Sequence, residues 1–178
     1  MLKRLIAMLL CILTVLTGSA MAENFKAVTP YVNCSTLKEA SEIAGFEIDA
    51  PEKVDGCTVT IQAWKDELIE IRYDNGENTL IVRKGKGESD VSGDYTVYAK
   101  TTSYSLKGMT ATLKGNGDLP TLITWSHNGY SFSLSCSTGM DKDRTISTMK
   151  RLSGICETKK KHHELIIGGD PRTWGPVE

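Results

Sequence analysis

The chain has 178 residues, and its 21 lysines and arginines nearly balance 22 aspartates and glutamates, giving a formal net charge of −1. This length suits a single domain, and a near-neutral chain lacks the basic surface that nucleic-acid binding requires. Beyond the N-terminal segment, no apolar run is long enough to cross a bilayer, so we expect no stable membrane insertion.

The first 22 residues have the three parts of a cleavable secretory signal peptide. Lys3 and Arg4 form a positive start, residues 5–16 form an apolar run too short to span a bilayer, and residues 20–22 read Ala-Met-Ala. We therefore expect cleavage before Glu23 and a secreted protein, periplasmic or extracellular. Cleavage would leave 156 residues with a formal net charge of −3, because the removed segment carries two basic and no acidic side chains.

A short helix is predicted after an extended lead-in over residues 23–33. Thr36 and Glu39 have the spacing of a capping box, and Gly45 suits the left-handed residue that follows a helix. One face of this helix is apolar, formed by Leu37, Ala40 and Ala44. The alternation of apolar and polar residues over residues 46–50 predicts a short strand.

Between Cys57 and Cys136 the hydrophobic period is two, which is typical of half-buried antiparallel strands. Asn75-Gly76 predicts a two-residue hairpin turn that places Tyr73 opposite Asn78 and Ile71 opposite Leu80. Residues 95–99 and 102–106 are further predicted strands.

A second hairpin is predicted at Asn128-Gly129. Its register places Trp125 opposite Phe132 and His127 opposite Tyr130, while the serines of the last strand face water on the other side. Lys107-Gly108 predicts a third turn.

A second helix is predicted from Asp141 to Cys156, with acidic residues in its first turn and basic residues in its last, as the helix dipole favours. The predicted fold is α+β: a curved antiparallel sheet of about six to eight strands in hairpins, with two helices packed on one face. The predicted organisation is a signal peptide over residues 1–22, the lead-in, one domain over residues 34–156 and a polar tail over residues 157–178.

Several short stretches resemble a known family when they are taken together in chain order. They are Thr36 to Ala40, Ala44 to Phe46, Ile69 to Tyr73, Ser92 to Tyr95, Leu113 to Gly115, Thr124 with Trp125, and Asn128 to Ser133. They are similar to the exported or membrane-tethered bacterial family known as domain of unknown function 4367, over roughly residues 34–152. The resemblance implies an α+β fold and carries no activity or catalytic residue.

Four cysteines follow the signal segment: Cys34, Cys57, Cys136 and Cys156. An even number in an exported chain predicts disulfides, and four cysteines allow three pairings. The placement of the first helix favours Cys34–Cys57. Cys136–Cys156 would require the second helix to stop early or to cross the sheet steeply, because a helix of that length carries its end about 22 Å away. A free thiol at either position is the alternative.

No catalytic, metal or cofactor site is predicted. The adjacent His162 and His163 do not converge on one metal, and His127 at a hairpin tip is typical of packing. No serine or cysteine has the adjacent base that a nucleophile needs. Trp64, which shares its strand face with threonines and a glutamine, is the candidate contact residue if it is exposed.

The leading hypothesis is an exported, non-catalytic binding or interaction module for an unknown protein or small molecule. The second is a carrier that holds an apolar, lipid-like ligand between the sheet and the helices, by analogy of fold alone. The third is a small hydrolase-type enzyme. An unfilled apolar gap beneath the second helix would favour the carrier, whereas a filled core with an exposed aromatic patch would favour the interaction module.

Overall fold

Side-chain alternation and tight turns build one antiparallel sheet of eight strands, which does not close into a barrel. The computed structural model describes residues 30–155. In chain order the elements are β1 (Tyr31–Cys34), α1 (Leu37–Ala44), β2 (Thr58–Trp64), β3 (Leu68–Asp74), β4 (Thr79–Lys86), β5 (Lys100–Leu106), β6 (Met109–Gly115), β7 (Leu122–His127), β8 (Tyr130–Cys136) and α2 (Lys142–Leu152). The order across the sheet is β1-β2-β3-β4-β8-β7-β6-β5. The predicted α+β class and strand number are confirmed.

One face of the sheet, here the covered face, carries the apolar side chains and packs against the helices. Ile71, Tyr73 and Leu134 are fully buried there, together with Ala44 of α1 and Met149 of α2. The Tyr73 hydroxyl donates a hydrogen bond to the Pro51 carbonyl at 2.8 Å, and burial raises the pKa of that hydroxyl. Trp125 donates from its indole nitrogen to the Ser153 hydroxyl at 2.9 Å, which fixes the end of α2 over the sheet.

Local capping explains where both helices begin. The Thr36 hydroxyl accepts a hydrogen bond from the Glu39 amide at 3.1 Å, and the Glu39 carboxylate accepts one from the Ser35 amide at 2.7 Å. Gly45 takes a left-handed conformation with φ of 76°, as predicted for the residue that ends α1. At α2, the Asp141 carboxylate accepts from the Arg144 amide at 2.9 Å.

The predicted hairpin register is confirmed for β7 and β8 but is wrong for β3 and β4. Trp125 lies opposite Phe132, as predicted, whereas Tyr73 lies opposite Leu80 rather than Asn78. The loop between β3 and β4 has four residues, because the Asn75 side chain accepts hydrogen bonds from the Glu77 and Asn78 amides and widens the turn. The shift is by two residues, so every side chain keeps its predicted face.

Two predicted strands are absent, and one strand lies where only a lead-in was predicted. Residues 46–50 are irregular, and their apolar side chains instead fill the core beside the helices. Residues 95–99 belong to the long connection from β4 to β5. β1 pairs antiparallel with β2 and places Tyr31 opposite Trp64 at the edge of the sheet.

Residues 87–99, here the crossing segment, cover part of the opposite face, which we call the open face. They connect β4 to β5 and must pass β8, β7 and β6. Val91 enters the space left by the missing side chain of Gly85, where a Cβ would lie 2.8 Å from a Val91 methyl.

The crossing segment corrects one expectation from the sequence. Ser131 and Ser133 were expected to face water, but they are 3% and 2% exposed. The Ser131 hydroxyl donates to the Gly87 carbonyl at 2.9 Å, so the connection itself provides its partner. The alternation of side chains in β8 does not predict a contact with such a distant part of the chain.

Candidate binding surface at the free edge of the sheet

Trp64 lies at the end of β2, on the open face, and is 42% exposed. Tyr31 of β1 is its cross-strand neighbour, and the two rings are 6.3 Å apart at an angle of 55°. Val32, the next residue of β1, is 47% exposed on the other side of the same edge. These three residues form what we call the edge patch. The structure therefore meets the condition, exposure, under which the sequence made Trp64 a candidate contact residue.

The edge patch is held by the pairing of β1 with β2. Cross-strand pairing continues from Tyr31 and Trp64 to Asn33 and Gln62, and the Gln62 side-chain amide donates to the Asn33 side-chain oxygen at 2.7 Å. β1 is the first strand of the sheet, so in the described part of the chain it has a strand on one side only. A row of backbone donors and acceptors beside an exposed aromatic ring is the arrangement that an added strand uses.

A buried ion pair lies beside the edge patch. The Glu70 carboxylate of β3 and the Arg83 guanidinium of β4 are opposite each other and 2.7 Å apart, with 9% and 18% of their side chains exposed. Arg83 also donates to the Val91 and Ser92 carbonyls of the crossing segment. Arg83 thus links Glu70 of β3 to the crossing segment on the open face.

The electrostatics of this pair reach the edge patch. Burial raises the pKa of the Tyr31 hydroxyl, the nearby Arg83 charge lowers it and the Glu70 charge raises it. The net direction is upward, so Tyr31 stays neutral at physiological pH and can donate or accept a hydrogen bond.

The predicted Cys34–Cys57 disulfide is not formed in this structure, where both cysteines are free thiols. Cys34 pairs with Ile61, four residues along the chain from Cys57. At about 3.3 Å per residue this separates the two positions by about 13 Å, whereas a disulfide needs Cα atoms within about 7 Å. The expectation failed because Cys34 belongs to a strand that runs alongside β2 rather than to the start of the helix.

Of the two remaining cysteines, Cys136 is among the described residues and Cys156 is not. Cys136 is a buried free thiol that donates to the Gly139 carbonyl at 3.2 Å, an interaction that fixes the end of β8. Cys156 lies outside the described residues, and its predicted partner Cys136 is a free thiol in this structure, so the predicted Cys136–Cys156 disulfide is not seen here either.

The histidines do not define a site within residues 30–155. His127 ends β7 opposite Tyr130, as predicted. Over the same residues, no group of three or more histidine, cysteine, aspartate or glutamate side chains could hold a metal ion. His162 and His163 lie outside the described residues.

Sequence reasoning missed Tyr31 and Val32, because it placed them in the lead-in. The available signal was short: Tyr31, Val32 and Asn33 lie a few residues before the helix cap Thr36, and two of the three are residues that favour strands.

The helices of the described region are α1 and α2, and neither is long and apolar enough to cross a membrane. A family model described as domain of unknown function (DUF4367) matches residues 51–152. The match begins after β1 and α1, so it covers most of the sheet and α2 but not the strand that completes the edge patch. No curated protein and no solved structure matches the chain.

Proposed function

The chain belongs to the DUF4367 family, and from that premise we propose that it is an exported, non-catalytic binding module that engages a protein partner through the edge patch. The observation that carries the proposal is the exposed Trp64 ring beside an edge strand. Tryptophan and tyrosine are enriched among residues that dominate binding energy. An extended segment of the partner would pair with β1 and pack against Tyr31 and Trp64.

The filled interior favours this function over a carrier of apolar ligands. Tyr73 and Leu134 of the sheet and Met149 of α2 are fully buried in one core cluster. A lipid-like ligand between sheet and helices would have to displace these side chains. A filled core was the feature expected of an interaction module and not of a carrier, so this packing supports the interaction module.

The environment of the described thiols agrees with a non-catalytic role. A catalytic cysteine needs its thiolate, which a neighbouring base or positive charge favours. Burial raises the pKa of both Cys34 and Cys57, with the nearby Glu39 and Asp74 charges acting in the same direction. Cys136 uses its thiol to bind a backbone carbonyl.

The binding function predicts a strong and local effect of Trp64. Trp64→Ser should weaken partner binding by about 30-fold or more, the loss typical of an interface residue worth at least 2 kcal/mol. The measurement is native mass spectrometry of the protein purified from the organism that produces it, followed by titration of the retained partner.

Tyr95→Ser is the matched control, because Tyr95 is 95% exposed on the crossing segment and lies outside the edge patch. This variant should retain the partner as the wild-type protein does. Retention by the Trp64 variant, or a wild-type protein without any bound partner, would contradict the proposed function.

Export gives a separate prediction. The segment of residues 1–22 has the organisation of a signal peptide, so protein recovered from outside the cytoplasm should begin at Glu23. N-terminal sequencing of that material makes the test. An N-terminus at Met1 in the exported protein would refute cleavage without bearing on the edge patch.

A further inference from the structure

The rings of Tyr31 and Trp64 lie on the open face of the sheet. A second surface feature lies on the opposite side of the molecule, at the end of the covered face. It is a cleft of about 580 Å³, bounded by residues 47–49, by the hairpin of β7 and β8, and by the end of α2. This volume falls within the range typical of small-molecule sites. Ile48, Phe132 and Leu152 line it but are only 6%, 3% and 4% exposed, whereas the Tyr130 ring, which also lines it, is half-buried.

The inner charge of the cleft is the Lys84 ammonium of β4. Alternation places Lys84 on the covered face, opposite Ile69 and Phe132, where a charged side chain is unusual. Its nitrogen lies 4.2 Å from the centre of the Tyr130 ring, 5.5 Å from that of Phe46 and 5.6 Å from that of Phe132. Aromatic faces stabilise a cation, but they supply no negative charge.

Lys84 has one hydrogen-bond partner among the described residues, the Glu47 carbonyl, at 2.6 Å. No carboxylate oxygen of residues 30–155 forms an ion pair with it. Burial lowers the pKa of Lys84, and the attraction of the Glu47 charge only partly opposes that effect. The ammonium therefore has two remaining donors in a partly desolvated position.

A second cation lies across the cleft. Arg151 of α2 binds the Asp49 carboxylate through Nε at 3.2 Å and Nη2 at 3.0 Å. The two carboxylates near the cleft, Glu47 and Asp49, belong to exposed residues, and Asp49 is already engaged. The cleft thus offers a cation beside a half-buried aromatic ring, and its two acidic residues are exposed.

We propose that this cleft binds a small organic anion with an apolar body, whose anionic group contacts Lys84 and whose body packs on the half-buried Tyr130 ring. The anion would use the ammonium donors that the protein leaves unpaired. Arg151 supplies the second positive contact, since a guanidinium has five donors and Asp49 uses only part of them.

Decanoate serves as the probe, and decyltrimethylammonium, with the same chain length and opposite charge, serves as its comparator. Titration calorimetry of the purified protein should detect decanoate and no comparable binding of decyltrimethylammonium. Proton NMR should show decanoate-dependent shifts of the Tyr130 and Phe132 ring signals. Lys84→Gln should weaken decanoate binding at least tenfold, because charge-assisted hydrogen bonds are lost while a polar, uncharged side chain remains.

Arg151→Gln is a second variant, and it should weaken decanoate binding several-fold. The ion pair that it removes, between Arg151 and Asp49, is partly exposed and should contribute little to folding. Lys100→Gln removes a lysine of the opposite edge, 61% exposed, and should leave binding unchanged. Equal binding of the two probes, equal losses in all three variants, or ring shifts confined to residues outside the cleft would overturn the proposal. An unchanged affinity in Lys84→Gln would do the same.

Discussion

Replacing Phe132 with alanine is expected to lower the free energy of unfolding by about 3–5 kcal/mol, the usual cost of truncating a buried aromatic side chain. Phe132 is 3% exposed and stacks on Trp125 with ring centres 5.1 Å apart and planes within 6°. Alanine would remove this contact and leave a cavity between β8 and the end of α2.

Urea denaturation followed by circular dichroism measures the loss. Ser103→Ala is the control, because Ser103 is exposed on the edge strand β5 and its replacement should change stability by less than about 0.5 kcal/mol. Ser133 would be unsuitable as a surface control, since it is 2% exposed. Similar losses in the Phe132 and Ser103 variants would contradict the burial of Phe132 on the covered face.

Replacing Arg83 with alanine is expected to cost about 3–5 kcal/mol, because it leaves the buried Glu70 carboxylate without its partner. The Glu70 side chain is 9% exposed, and the two charged groups are 2.7 Å apart. The variant also removes the donor that holds the Val91 and Ser92 carbonyls, so the crossing segment should exchange its amide hydrogens faster.

A double-mutant cycle separates the ion pair from general loss of packing. Glu70→Gln combined with Arg83→Ala removes the unpaired charge, so the double variant should be more stable than the sum of the single losses implies, by about 0.5–3 kcal/mol. Lys38→Ala provides a comparison, because the Lys38–Glu42 pair is 86% and 69% exposed and should contribute well under 1 kcal/mol. Additive losses at Glu70 and Arg83 would refute the coupling.

Local signals in the sequence predicted much of the sheet and both helices. The period-two alternation identified which side chains share a face, and Asn128-Gly129 fixed the register that brings Trp125 opposite Phe132. Alternation survives a register shift of two residues, which explains why the wrong pairing of Tyr73 with Asn78 left the predicted core intact. The capping residues Thr36 and Asp141 act within one helical turn, so they too could be found in the sequence.

The remaining features depend on contacts between distant parts of the chain. The buried Ser131 hydroxyl has its partner, the Gly87 carbonyl, in the crossing segment, which no pattern in β8 reveals. β1 is only four residues long, and it is recognisable as a strand through its pairing with β2. The same pairing moved Cys34 away from Cys57 and removed the basis for the predicted disulfide.

The candidate surfaces were predictable to different degrees. The polar neighbours of Trp64 on β2 made it a candidate contact residue if it was exposed. Its aromatic partner Tyr31 was not predicted. Lys84 did carry a signal that was not used: it continues the alternation of Leu80 and Val82, which places a charge at a core-facing position. The aromatic side chains around Lys84 could not be predicted, because Phe46 and Tyr130 come from separate segments of the chain.

Photocrosslinking at position 64 tests the central claim, engagement of a protein partner at the edge patch, most directly. A benzoylphenylalanine at position 64 keeps an aromatic ring at the patch, and the same residue at position 95 reports a comparably accessible site elsewhere. In the producing organism, irradiation should give a specific protein adduct from position 64 and none from position 95, and mass spectrometry should place it on one extended segment of the partner. No adduct at position 64, an adduct with a small molecule, or equal adducts from both positions would contradict the claim.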